Sequence, residues 1–402
     1  MRAMAMAMMC LTLNACSRVD APTPGLYRAV LQLPGGEAPF GLDIEEEEGK
    51  PVLYLINGAE RTRVTDVRLR DEELTARFPG YENFMRARLY RKRLEGEVVL
   101  IKTGGKQQNI PLRAELEQPW RFFEQSSTDN ADVSGRWQVT LEEDGQTTHA
   151  VAEFAQKHDQ VTGSVLTPTG DHRFLAGQVR GDDVRLSTFA GGLAYLYHLR
   201  VNGKGELEGD MWQGLAAHAK VSAKRNPDAE LPTENRTQIK ANSQFGFTFP
   251  DAQGKRVSLR DERFRGKVVI VTIGGTWCPN CHDEAGFLVP FYRDYRPRGV
   301  EVVGLMFERH GEFEAAAKAV RDFSRDLNIP YPLLIAGISD SEEASKALPT
   351  LTGIYGYPTA LFIDRAGRVR KIHTGFSGPA TGAHYEEHTR AFIDEVEALL
   401  RE

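Results

Sequence analysis

The β-branched run Val268-Val269-Ile270-Val271-Thr272-Ile273 constrains this chain more than any other feature. A strand with one wet face alternates apolar and polar residues; a continuous run predicts a strand buried on both faces. It leads into Gly274-Gly275-Thr276-Trp277-Cys278-Pro279-Asn280-Cys281-His282-Asp283-Glu284, after which Phe287, Leu288, Phe291, Tyr292 and Tyr295 form the apolar stripe of a helix. Two cysteines three residues apart therefore fall where a buried strand gives way to a helix. Thiolate is the nucleophile in disulfide exchange, and the unpaired N–H groups and positive dipole end of a helix stabilise it there. Cys278 is expected to be the exposed attacker, and Cys281, one turn in, the buried resolving thiol.

Three other uses of the pair stay open at this point. A zinc half-site would need two more ligands, and no Cys or paired His stands at a suitable spacing, so no metal is expected. Cys278-Pro279-Asn280-Cys281-His282 also matches c-type haem attachment, although that needs an open helical pocket and a second axial ligand. An inert structural disulfide is the third. Downstream the pattern alternates: a strand over Val300–Glu308, an amphipathic helix over Glu312–Leu327, a strand near Tyr331–Ala336, a short helix over Ser341–Leu348, a strand opened by Pro358, and a terminal helix from about Gly382 to Leu400.

Trp277-Cys278-Pro279-Asn280-Cys281, together with Tyr357-Pro358-Thr359 and Leu361-Phe362-Ile363-Asp364, resembles the thioredoxin superfamily. Glu284, three residues after the second cysteine, and the long segment before the proline resemble the TlpA/ResA-like envelope thiol-disulfide oxidoreductases. The resemblance spans about 244–402 and implies an α/β thioredoxin-like domain at 245–402. It implies Cys278 and Cys281 as the redox disulfide, with Glu284 passing the proton of Cys281. It implies Trp277, Tyr357 and Pro358 as the substrate-binding wall, Pro358 being the cis-proline that faces the cysteines and leaves the Tyr357 backbone free to pair with a client strand. The chain departs from the pattern in its Pro-Asn dipeptide, which lacks a thiolate-binding His and so leans towards a reductant or isomerase. Peroxiredoxins, a related fold, place Thr three before the reactive Cys; here Gly275 stands there and Thr276 is one residue late.

The preceding region, 25–225, reads as all-β and antiparallel. Tyr27–Leu33, Val52–Ile56 and Trp137–Leu141 alternate, and Asn57-Gly58, Asp144-Gly145 and Asn202-Gly203 are hairpin turns. It also reads as a duplication, with units at 25–120 and 121–225. Gly58-Ala59-Glu60-Arg61 parallels Gly170-Asp171-His172-Arg173, and Phe78 with Gly80 parallels Phe189 with Gly191, about 112 residues on. Two small sandwiches or one larger barrel would satisfy the pattern, and this part resembles the extra front of some large TlpA-like lipoproteins. The polar stretch 226–244 reads as a linker. Residues 1–24 carry Arg2, an apolar stretch and Leu13-Asn14-Ala15-Cys16, which resembles a bacterial lipobox; the resemblance implies cleavage before Cys16 and lipidation of its thiol, followed by a short tether.

Formal net charge is −6 with no basic stripe, which argues against a nucleic-acid partner. The expectation is a lipid-anchored thiol-disulfide oxidoreductase, acting as a reductase on the periplasmic side of a bacterial envelope. Its partners would be protein disulfide clients, an upstream thiol donor and the membrane, with no cofactor. The alternatives are a peroxiredoxin-like thiol peroxidase, a c-type haem carrier and a client-binding lipoprotein.

Overall fold

A computed structural model of the chain describes residues 21–232 and 237–402. Cys16, its leader and part of the 226–244 stretch lie outside the described residues.

The strand Val268–Gly274 is buried at every position. It pairs in parallel with Val300–Glu308 and antiparallel with Thr359–Ile363; Leu333–Ile338 and Val369–Thr374 complete the five-stranded sheet at its two edges. Val268 and Ile270 pack under the helices Pro279–Tyr295, Phe313–Asp326 and Ala383–Arg401. Val269, Val271 and Ile273 pack on the other face, against Phe245, Phe247, Phe264 and the short helix Ser341–Ala347. Two covered faces explain the unbroken β-branched run, since each fully buried Val or Ile contributes about 1.5–3 kcal/mol. The expected α/β domain is thus present, with helix ends within a few residues of their sequence limits.

The region before it is all antiparallel β, in two nine-stranded meanders. In the first, from Gly25–Leu33 to Lys106–Leu116, every strand pairs with its chain neighbour except Glu60–Val64 and Asp66–Arg70, and the first strand pairs with the last. Those two segments are one path bent at Thr65. The first half lies on Lys50–Asn57 and the second on Glu73–Arg77, so the chain itself closes the ring. The second meander, from Gly135–Glu143 to Ala217–Arg225, repeats this order. Its ring closes by hydrogen bonds, with Gln160–Thr167 lying between Gln146–Lys157 and Leu175–Arg180. The outcome is neither two sandwiches nor one shared barrel but two rings, with Phe189, Ala194 and Leu196 of the second packed into the core of the first. Closure removes the free edges that a long antiparallel sheet would expose.

The rings meet along an apolar seam. Phe189 of the second inserts between Phe40 and Phe78 of the first, with ring centroids at 5.2 and 5.3 Å. Buried Asn57 donates to the Phe189 carbonyl at 2.9 Å, and Asn83 donates to that of Gly191 at 2.9 Å. Part of the 226–244 stretch, read as a linker, is docked on the α/β domain. Ile239 bridges to Leu351, and the Lys240 N–H donates to the Thr350 carbonyl at 2.9 Å. Truncating Phe189 leaves a cavity in this seam, so Phe189→Ala should cost about 3–5 kcal/mol in urea unfolding. A loss below about 1 kcal/mol would show that the seam does not hold the rings together.

Candidate active site

Cys278 sits at the N-cap of the helix Pro279–Tyr295, with Pro279 in its first turn. Its backbone is extended, and its Sγ accepts from the Cys281 N–H at 3.3 Å. The N–H groups of Cys281 and His282 reach the Cys278 carbonyl. The Cys278 thiol also donates to the Tyr357 carbonyl at 3.6 Å. The Tyr357–Pro358 peptide is cis. Both cysteines are free thiols. The motif and the proline loop, eighty residues apart in the chain, are therefore in direct contact. The sheet order causes this: Val268–Gly274 ends four residues before Cys278, and its neighbour Thr359–Ile363 begins just after Pro358.

Cys281 is buried beneath the strand end, where a Cβ on Gly274 would come within 3.1 Å of its Sγ. Burial, reinforced by Cys278 and Glu284, pushes its thiol well above the ordinary cysteine range. Glu284 is buried one turn further on, and desolvation raises its pKa to about 7 against a hydrogen bond from the Thr272 hydroxyl. Thr272 is the only polar residue of the buried run. Its register, two after Ile270, points it to the helix-covered face where Glu284 lies. The Trp277 indole donates to the Phe307 carbonyl at 2.8 Å, and its ring meets Tyr357 edge-on at 5.4 Å.

The structure thus brings Trp277, Cys278, Cys281, Glu284, Tyr357 and Pro358 together. One expectation is corrected: Cys278 is 4% exposed, as buried as Cys281 at 5%. Residues of the β region pack on its neighbours Pro279 and Asn280. His282, the residue that completed the haem-like pattern, is a packing residue. Its Nε2 donates to the Thr276 carbonyl at 2.8 Å and its ring lies flat on Tyr81 at 3.8 Å. Among the described residues no group of three or more His, Cys, Asp or Glu could hold a metal ion.

Several residues at the site escaped the sequence reading. Glu308 is fully buried with its pKa raised to about 7 by desolvation. It accepts from the Thr276 N–H at 3.0 Å and hydroxyl at 2.6 Å, pinning the turn into Cys278. Arg309 stacks over Trp277 at 4.1 Å and is held by Thr103 of the first ring at 2.8 Å. Arg173 of the second ring reaches Asp283 at 2.8 Å, Glu60 of the first ring at 2.6 Å and the Pro279 carbonyl at 3.2 Å. Burial pushes the Asp283 carboxyl up, while the guanidinium opposes it. The repeated turns at Glu60 and Arg173 were the available signal, but nothing in them announced what they would touch.

Residues 227–372 match the model of the AhpC/TSA family. The C-terminal part of the chain is a thioredoxin-like domain. The β region lies outside the matched residues. The domain's enzyme class is that of the thiol-disulfide oxidoreductases. The chain is similar to the thiol-disulfide oxidoreductase ResA of Bacillus thuringiensis subsp. konkukian, 28% identical over 144 residues that cover 36% of this chain and 73% of that protein. The ResA of Bacillus subtilis is 29% identical over 129 residues, covering 32% and 64%. Among solved structures it resembles a thioredoxin-family thiol:disulfide interchange protein of Chlorobium tepidum, at 24% identity, 40% and 99% coverage and a TM-score of 0.31. A secreted thiol-disulfide isomerase of Corynebacterium glutamicum gives 18%, 43% and 97%, and 0.32.

Glu284 gives a pH signature to the thioredoxin-like domain. Its folded pKa of about 7 lies above the 4.5 of a free carboxyl, so folding takes up a proton between those values. That contribution to stability is complete below about pH 4.5 and is lost as pH rises through 7. Urea stability should therefore fall from about pH 5 to pH 8, and Glu284→Gln should flatten that fall. An unchanged slope in the variant would mean that Glu284 is ionised throughout.

Proposed function

We propose that the chain is an envelope-anchored thiol-disulfide oxidoreductase that reduces protein disulfides through the Cys278/Cys281 pair. The observation that carries this reading is the contact between Cys278, at a helix N-terminus, and the carbonyl of Tyr357 in the proline loop. A nucleophilic sulfur there lies beside a backbone segment able to hold an extended client.

In the forward direction the Cys278 thiolate attacks one sulfur of a client disulfide, and the other client sulfur leaves as a thiolate. Cys281 passes its proton to Glu284 and attacks Cys278 Sγ. The bond to the client breaks, the second client thiolate leaves, and the pair ends as a disulfide. Two electrons have passed to the client, and an external dithiol donor restores the pair. Glu284 suits the proton step because its pKa, about 7, lets it accept and release at neutral pH. Trp277 and Tyr357 wall the approach to Cys278.

The reductive direction is favoured by the dipeptide between the cysteines. Strong oxidants stabilise their attacking cysteine as thiolate. Here Pro279 and Asn280 provide no His to bind one at Cys278. Anchoring through Cys16 rests on the lipobox-like Leu13-Asn14-Ala15-Cys16, which would tether the enzyme on the periplasmic face of a membrane. Among the described residues no helix is long and apolar enough to cross a membrane.

The test is trapping. Cys281→Ser should accumulate mixed disulfides with client proteins through Cys278, visible as adducts lost on reduction. Cys278→Ser should form none and lose insulin reduction by at least about a hundredfold, on the order of the 10²–10⁴ that such steps contribute. Adducts that survive Cys278→Ser would overturn the assignment.

A further inference from the structure

Cys278 is buried, and the parts of the two β rings that the internal repeat makes equivalent pack on the residues around it. From the second ring, the turn Thr167–Arg173 lies across the motif and the proline loop together. Thr169 packs on Gly356, where a Cβ would come within 2.7 Å of its Cγ2. Asp171 receives Asn280 Nδ2 at 3.3 Å and the Gly378 N–H at 2.6 Å. Arg173 binds the Pro279 carbonyl and Asp283. From the first ring, Glu60, in the matching turn, neutralises Arg173. The second matched pair of turns, around Gly80 and Gly191, also converges here. Tyr81 lies on His282, and a Cβ on Gly192 would come within 2.7 Å of the Tyr81 hydroxyl and 3.0 Å of Pro279.

A client strand needs the same ground. It must lie between the cysteine motif and the residues preceding the proline for its sulfur to reach Cys278. Thr169, Asp171 and Arg173 touch both sides of that slot. The cover is fastened mainly by charge pairs and hydrogen bonds, with Arg77 to Asp326 at 2.8 Å and the Gly80 N–H to the same carboxylate at 2.9 Å adding to those above. Such a junction can open, because both members of each pair regain water when it parts; interfaces between domains of one chain are commonly polar for this reason.

We propose that the turn Thr167–Arg173 occupies the client's place, so that the β region is a built-in cap that a disulfide client must displace before Cys278 reacts. The proposal rests on the oxidoreductase reading of Cys278 and adds its regulation. Access to the sulfur is then set by an equilibrium between a docked and a parted cap.

Labelling of Cys278 in the reduced full-length chain tests this without relying on turnover. The probes are iodoacetamide and a maleimide carrying a 5-kDa polyethylene glycol, with the Cys278 peptide read by mass spectrometry. In the native chain the bulky maleimide should label Cys278 at least about a hundredfold more slowly than in the urea-unfolded chain. Two variants should each speed this at least about tenfold. Arg173→Ala removes the central charge, and Gly192→Leu wedges the cap off Pro279 without stranding a buried carboxylate. Circular dichroism confirms that each is folded. Labelling of the native chain as fast as of the unfolded one overturns the cap, as does a native rate that neither folded variant raises; should both variants unfold, the native-to-unfolded ratio decides alone. If Gly192→Leu labels quickly yet neither reduces insulin nor forms mixed disulfides, the cap stands and the oxidoreductase reading falls.

Discussion

The two-sided burial of Val268–Gly274 is the constraint from which the rest of the candidate site follows. A strand covered by helices on one face and by aromatic side chains on the other cannot shift register without exposing apolar surface. Its end is therefore a fixed point. The chain leaves it through Gly275 and Thr276, whose N–H and hydroxyl are held by the buried Glu308 of the neighbouring strand, and enters the helix at Cys278. The antiparallel neighbour Thr359–Ile363 starts beside the same end, which brings Tyr357 and Pro358 to the sulfur. Position, rather than any unusual residue, makes this cysteine a candidate nucleophile.

That same burial governs proton chemistry. Thr272 interrupts the apolar run on the face that meets the motif helix, and its hydroxyl donates to Glu284 inside a dry layer. Desolvation then lifts both Glu284 and the Cys281 thiol, so that acid and base sit side by side with raised pKa values. A carboxylate on the helix surface would have done neither.

The front of the chain packs directly on the motif helix. Its two rings share a strand order, and the turns that recur between them do not scatter over the surface but face the motif helix. Arg173, in the second ring, links two other parts of the chain: Glu60 of the first ring, and the motif helix through Asp283 and the Pro279 carbonyl. A buried cation among carboxylates is tolerable only when all of its partners are present, so the two rings and the thioredoxin-like domain are fitted to one another at this spot.

Much of this was legible in the residues. Local patterning depends on neighbours in the chain, and so the buried strand, the cysteine pair at its end, the amphipathic helix near Phe313–Asp326, the hairpin turns and the recurring Gly-x-x-Arg turns could be read directly. The exposure of Cys278 could not. The groups that pack on the residues around Cys278, Tyr81 on His282, Thr169 on Gly356 and Asp171 on Asn280, lie more than a hundred residues upstream of it, and their arrival depends on how the two rings close and dock. Nor could two rings be told from two sandwiches, because alternation along a strand does not record which strand lies beside it. Sequence by itself determined the chemistry available, two thiols at a helix start with a carboxylate one turn on, since that follows from spacing along one helix. Only tertiary structure decided who may reach those thiols, since solvent access is set by every surface that packs against them.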